Sequence, residues 1–197
     1  MMQTILLILL FLAAAASIVY GLWLLIPILY GLPWVPTNPR RIRRALQLAQ
    51  LRPDEVVYDL GAGDGRVLVM AARECGARAV GIEISPLQCC AAWLNARFSG
   101  VGGRVTIHWR SIYTSDLANA DVVFAHTTAA QAPRLRVSLE GRLHPGARVV
   151  TILYDLEGWQ PQDMDDREMV FLYHMPPTPG GVSSYQLQRY LDKPKSG

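Results

Sequence analysis

The stretch VVYDLGAGDGRVLV, Val56–Val69, decides the fold of this chain. An apolar run of strand character ends in Asp59, glycines follow at 61, 63 and 65, and an apolar pattern with helical spacing begins at Arg66. Strand, bare glycine turn and helix make the first βα unit of a nucleotide-binding sheet. Glycine lets a ligand approach the backbone, and the helix N-terminus adds amide donors. Spacing then narrows the ligand. A dinucleotide site takes G-x-G-x-x-G, but this loop reads G-x-G-x-G, with Arg66 where that pattern wants its last glycine. A carboxylate just ahead of the loop is awkward for a pyrophosphate. It suits a ligand that carries an ammonium and a sulfonium.

Glu83 agrees with this reading. It ends the run AVGIE, 18 residues after Gly65. A carboxylate at that strand end accepts ribose hydroxyls, which implies a nucleoside with a free 2′-OH.

Outward from this unit, strands and helices alternate. EVVYDL, AVGIEI, RVTIHW, DVVFAH and ARVVTILY read as strands, and GRVLVMAAREC, PLQCCAAWLNARF and PRLRVSLEGRL as helices. Such alternation predicts an α/β, Rossmann-like, mostly parallel sheet. REMVFLYHM and SSYQLQRYL, joined by PPTPGGV, predict a C-terminal antiparallel hairpin.

Upstream, no Asp, Glu, Lys, Arg or His occurs from Met1 to Pro39. A transmembrane helix needs about 20 mostly apolar residues, and Thr4–Leu32 exceeds that. Pro27 is placed to kink or end it, and Trp23, Tyr30 and Trp34 suit a membrane interface. A cleaved signal peptide is the rival, because AAAAS at 13–17 offers small residues, but no basic stretch precedes it. A buried core helix is the third reading. Arg40, Arg41, Arg43 and Arg44 follow the apolar run, so the positive-inside rule places the remaining chain in the cytoplasm. They read as a topology signal on a solvated helix face, with contact to anionic headgroups as the functional addition. Thr37 or Asn38 can cap the helix that follows, with Pro39 at its first position. The expected division is an anchor at 1–32, a linker and basic helix at 33–52, and a domain at 53–197.

The 197 residues are 51% hydrophobic, and the net charge of +3 gives no argument for a nucleic-acid partner. Cys75, Cys89 and Cys90 form no CxxC pair, so they suggest neither a zinc site nor a disulfide frame, and no metal is expected. Thiols of this kind fit a reducing compartment.

DLGAGDG followed by GIEIS resembles the class I S-adenosylmethionine-dependent methyltransferases, over roughly Leu51–Leu191. More narrowly, the N-terminal span, PWVPT, VVYDLGAGDGR, LHPGARVV and GWQP resemble the membrane-anchored lysine methyltransferases of the mitochondrial type. Those act on the adenine nucleotide translocase and the ATP synthase c-subunit, and have prokaryotic relatives. The resemblance implies S-adenosylmethionine as cofactor, a single-pass membrane location facing the cytoplasm, and a lysine acceptor on a membrane protein. It places Asp59, Gly61, Ala62 and Gly63 at the methionine part of the cofactor. Asp64 and Gly65 complete the loop, Glu83 takes the ribose, and Ile84 packs beside the adenine, with Ser111 and Ile112 nearby. Ser111 stands where the family usually has an acid for the adenine amino group. PWVPT, with Trp34 and Thr37, would close over cofactor and lysine.

His126 ends the fourth strand, at the rim where acceptors sit in this fold. It can take a proton from a lysine ammonium, or simply bond to its neighbours. Thr127 and Thr128 carry the same two readings, and Trp34 is either an interfacial anchor or a wall of the acceptor channel. Two other functions stay open: methylation of a small lipophilic molecule, and a non-catalytic binding module on the same fold.

Overall fold

The computed structural model describes residues 2–29 and 36–182, with backbone alone from Trp23 to Leu29. The chain divides into two compact units at Val35/Pro36. The first contains one helix, α1 (Met2–Leu29), which runs on through Pro27. Its segment Met2–Leu22 is long and apolar enough to cross a membrane, and none of its most apolar window is buried.

The second unit opens with α2 (Pro39–Leu48). Of the two residues able to cap it, Asn38 does so: its side chain accepts from the Arg40 amide at 2.9 Å, with Pro39 in the first turn. Then come β1 (Val56–Leu60), α3 (Arg66–Glu74), β2 (Arg78–Glu83), α4 (Pro86–Phe98), β3 (Val105–Trp109), β4 (Val122–His126), α5 (Ala132–Leu139) and β5 (Arg148–Ile152). The short β6 (Gly158–Trp159), β7 (Asp163–Asp165), β8 (Val170–His174) and β9 (Pro179–Gly180) complete the described chain.

Seven strands make one sheet in the order β3-β2-β1-β4-β5-β8-β7. β1 to β5 are mutually parallel, and β8 and β7 run antiparallel at one edge. The expected mostly parallel α/β sheet is therefore present. The hairpin differs in its partner: Val170–His174 folds back on Asp163–Asp165, whereas the expected partner run at 183–191 lies outside the described residues. The order in which strands are added reverses between β1 and β4, the switch point of such sheets, where ligands bind beyond the strand ends.

Packing explains why these segments hold. β4 is buried from Val122 to Ala125, as a central parallel strand covered on both faces must be. One apolar cluster joins α2 and α3 to the sheet through Ile42, Leu46, Leu68, Phe124 and Val170. A second joins α5 through Leu135, Leu139, Val123, Val149 and Tyr173. Tyr173 sits edge-on to Trp159 at 5.8 Å, and its hydroxyl accepts from the Leu156 amide at 2.8 Å.

The basic helix thus packs its apolar face into the core, through Ile42, Ala45, Leu46 and Leu48, and keeps Arg40 and Arg43 exposed on its outer face. Three of its four arginines are paired with acids of the domain: Arg41 with Glu168 at 3.5 Å, Arg43 with Glu74 at 3.0 Å and Arg44 with Asp165 at 2.5 Å. Ile42 is fully buried between them. Ile42→Ala is expected to destabilise the protein by about 2–5 kcal/mol. A denaturant titration of the unit's cooperative transition measures this; an unchanged midpoint would show α2 to be a passive appendage.

Candidate active site

The carboxyl ends of β1, β2 and β4 bring the sequence-predicted residues together. Leu60 lies in register with Ile82 on one side and Ala125 on the other. Asp59, the glycine turn, Glu83 and His126 therefore share one rim. The turn itself needs glycine at three left-handed positions, with φ of 89° at Gly61, 54° at Gly63 and 75° at Gly65. Open space faces Gly61, whereas a Cβ on Gly65 would lie 2.8 Å from the Cβ of Ala92 in α4. The first glycine bares the backbone to a ligand, and the last lets α4 close against α3. Gly65 is also the N-cap of α3, so amide donors of that helix border the turn.

Asp59 is only 3% exposed. No group among the described residues donates a hydrogen bond to its carboxylate. Burial first, then the charges of Glu83 and Asp64, push its pKa up to about 8. An ionised carboxylate so placed lacks a cation, and a ligand ammonium would supply one. This orphaned acid is the feature that fits S-adenosylmethionine.

Glu83 is held by backbone. Its Oε2 accepts from the Gly63 amide at 2.9 Å, and its Oε1 from the Ile84 and Ser85 amides, both at 2.9 Å. A carboxylate has about four acceptor sites, so Oε2 keeps capacity for a ligand hydroxyl. Asp64 turns the other way and forms a forked pair with Arg66 at 2.6–3.2 Å. Its carbonyl accepts from Asn95 Nδ2 at 3.0 Å, tying the loop to α4. Ala62 is buried beneath the turn, and Ile84 is half-buried, its carbonyl accepting from Trp109 Nε1 at 2.8 Å. Ser111 Oγ accepts from the Tyr113 amide at 3.3 Å, which leaves its hydroxyl proton to donate. Ile112 packs against the second core cluster, and its carbonyl receives Arg142 Nη2 at 3.1 Å.

Two of the acceptor-side residues meet. Thr37 Oγ1 lies 2.9 Å from His126 Nδ1. Burial, helped by the charge of Arg41, lowers the pKa of His126, so the ring is neutral at pH 7. In the tautomer that donates from Nδ1 to Thr37, Nε2 carries the free lone pair. Trp34 lies outside the described residues. Thr127 is buried, and its Oγ1 has no hydrogen-bond partner among the described residues.

Sequence reasoning missed Arg66 as a site residue. Besides gripping Asp64, its Nη1 donates to the Thr37 carbonyl at 3.2 Å, joining the cofactor turn to the segment that reaches His126. Only its place directly after the last glycine could have signalled this.

Three comparisons bear on this geometry. The family model described as the ANTKMT methyltransferase domain matches residues 59–163. A protein-lysine N-methyltransferase of Saccharolobus islandicus is 36% identical over 148 residues, covering 72% of this chain and 92% of the relative. The adenine nucleotide translocase lysine N-methyltransferase of Mus musculus is 34% identical over 160 residues, covering 76% and 69%. Among solved structures, an RNA methyltransferase from Salinibacter ruber in complex with S-adenosyl-L-homocysteine superposes with a TM-score of 0.70 at 36% identity, covering 72% of this chain and 94% of that one.

Proposed function

The chain belongs to the family of the ANTKMT methyltransferase domain and is an S-adenosylmethionine-dependent methyltransferase, and from that premise we propose that its acceptor is a lysine side chain of a membrane protein, reached from a tether formed by α1. The observation that carries this reading is the Thr37–His126 hydrogen bond. It ties a neutral imidazole at the acceptor rim to Thr37, the last residue of the PWVPT segment that resembles the lysine methyltransferases. The relatives' named acceptors, the adenine nucleotide translocase and the ATP synthase c-subunit, support a membrane-protein acceptor here.

S-adenosylmethionine supplies a sulfonium methyl group that a nucleophile attacks in line, the sulfur leaving with the electron pair. Asp59 would take the ammonium of the methionine part, beside a turn that the Gly61 and Ala62 amides fix to the Ile82 carbonyl and the Gly63 amide fixes to Glu83. Glu83 would accept from the ribose, and Ile84, Ser111 and Ile112 would border the adenine. A lysine is protonated at pH 7 and attacks only as the amine. His126, oriented through Nδ1 by Thr37, removes that proton at Nε2. Alignment and exclusion of water supply the rest of the acceleration.

His126→Gln is expected to lower turnover by about 10²-fold, at the lower end of general-base effects, while S-adenosylmethionine affinity is unchanged. The acidic limb of the pH–rate profile, which lies below the ordinary histidine range in the native enzyme, disappears with it. Thr37→Val loses less, and Thr37→Ser restores activity.

The acceptor is tested by incubating full-length protein with methyl-tritiated S-adenosylmethionine and membrane proteins, extracted lipids or RNA. The RNA arm follows from the Salinibacter ruber neighbour. Label on a membrane-protein lysine, located by mass spectrometry, is the expected result. Label confined to lipid or RNA overturns the acceptor and leaves the methyltransferase.

A further inference from the structure

α4 is apolar on both sides. Gln88, Ala92 and Ala96 face the domain interior. Leu87, Cys90, Leu94 and Phe98 recur at steps of three and four on the opposite side, and Trp93 flanks them. A helix that is apolar all round is ordinarily buried. Here Phe98 is 85% exposed, Trp93 58% and Leu87 48%. Trp109, at the end of the neighbouring edge strand β3, is 68% exposed, and it is tied by its indole N–H to the loop ahead of α4.

Charge identifies what covers this face. From Ile84 to Ser115 the chain has no Asp or Glu, but it has Arg97, Arg104 and Arg110. All three arginines are exposed. Beyond Phe98, Arg104 joins Arg73 and Arg78 around an open depression of about 760 Å³ lined also by Ser99, Gly100 and Gly103. Exposed tryptophan, phenylalanine and leucine, interleaved with unopposed arginine, is the composition of a surface that enters a lipid interface. Anionic headgroups answer the arginines. The same chain carries a segment able to cross a bilayer.

We propose that the outer face of α4, with Trp109 and the arginines beside it, lies on an anionic lipid surface. The apolar stripe enters the headgroup region, and the arginines, including those of the depression, meet the phosphates. The proposal rests on the tether reading, but it concerns a second, peripheral contact made by the folded domain.

Cys90, exposed within the stripe, is the reporter. The full-length protein, with Cys75→Ser and Cys89→Ser so that Cys90 alone is labelled, is spin-labelled there and reconstituted into vesicles with or without phosphatidylglycerol. A second sample carries its label through Asp166→Cys in the same background with Cys90→Ser added. Asp166 follows β7, at the opposite edge of the sheet. In phosphatidylglycerol vesicles, the Cys90 label is expected to lose collisions with a water-soluble nickel chelate and gain collisions with oxygen, while the label at 166 stays in water. Reversing Arg97, Arg104 and Arg110 to Glu returns the Cys90 label to water without releasing the protein from the vesicles.

A Cys90 label as nickel-accessible as the one at 166, on protein that floats with the vesicles, overturns the proposal and leaves the tether standing. Protein that does not float at all overturns both. Label–label broadening at Cys90 that persists in detergent overturns it in favour of a second copy of the chain.

Discussion

Asp59→Asn is expected to weaken S-adenosylmethionine binding and, at the same time, to make the ligand-free protein more heat-stable at pH 8. Removing one partner of a buried charge pair costs about 2–5 kcal/mol, roughly 30- to 4,000-fold in affinity. Stability moves in the opposite direction because of the raised pKa. An unfolded Asp titrates near 3.9, and the folded Asp59 near 8. Between those values the folded chain holds a proton that the unfolded chain has released. This group's contribution therefore falls as pH rises through that window, by roughly 1.4 kcal/mol per pH unit. Asparagine has no such slope. Melting curves of the two proteins should coincide near pH 4 and separate progressively towards pH 8, with the variant higher. The native protein's affinity should rise over the same window as Asp59 ionises, and the variant's should not. Calorimetric titrations and thermal melts at several pH values decide both points. A variant less stable than the native protein at pH 8 would mean that the carboxylate has a structural partner after all.

Gly65→Ala carries the second large effect. A left-handed backbone costs a non-glycine residue about 1–2 kcal/mol. The added methyl would also lie 2.8 Å from the Ala92 Cβ and 3.0 Å from its Cα. Overpacking of that kind costs about 1–3 kcal/mol more. The sum of about 2–5 kcal/mol corresponds to a fall in Tm on the order of 10 °C for a domain of this size. Cofactor binding suffers as well, because the turn carrying Gly63 and Asp64 must shift with the start of α3. Adding Ala92→Gly removes the methyl–methyl clash but neither the crowding against the α4 backbone nor the strained φ, so partial rescue is expected. Full rescue would show that backbone conformation contributes nothing at this position.

The βα rhythm and the glycine turn were legible because both are local. Asp59, the three glycines and Glu83 lie on consecutive elements, and each strand carries its own apolar run. What escaped depends on distance along the chain. The ion pairs of the α2 arginines do not show in sequence because their acids are remote: Glu74 is 31 positions from Arg43, and Asp165 is 121 from Arg44. The partner of β8 escaped for another reason. Asp-Met-Asp alternates, but three residues with one apolar side chain are too short to signal a strand, and Asp163–Asp165 is one because it lies in register with Val170, Phe171 and Leu172. Thr37 and His126 could be named separately, but their bond spans 89 positions. The grip of Arg66 on Thr37 ends on a carbonyl, which every residue possesses and no sequence displays.

That last pair of interactions bears on how the protein can diverge. Thr37 is held twice, through its carbonyl by Arg66 and through its hydroxyl by His126. The first hold survives any side chain at 37, and the second survives only a hydroxyl. If Thr37 and His126 have the roles proposed above, drift at position 37 retunes the acceptor side while the segment stays moored to the glycine turn. Drift at position 66 cuts that mooring itself. Lineages adopting new acceptors have more freedom at the first position than at the second.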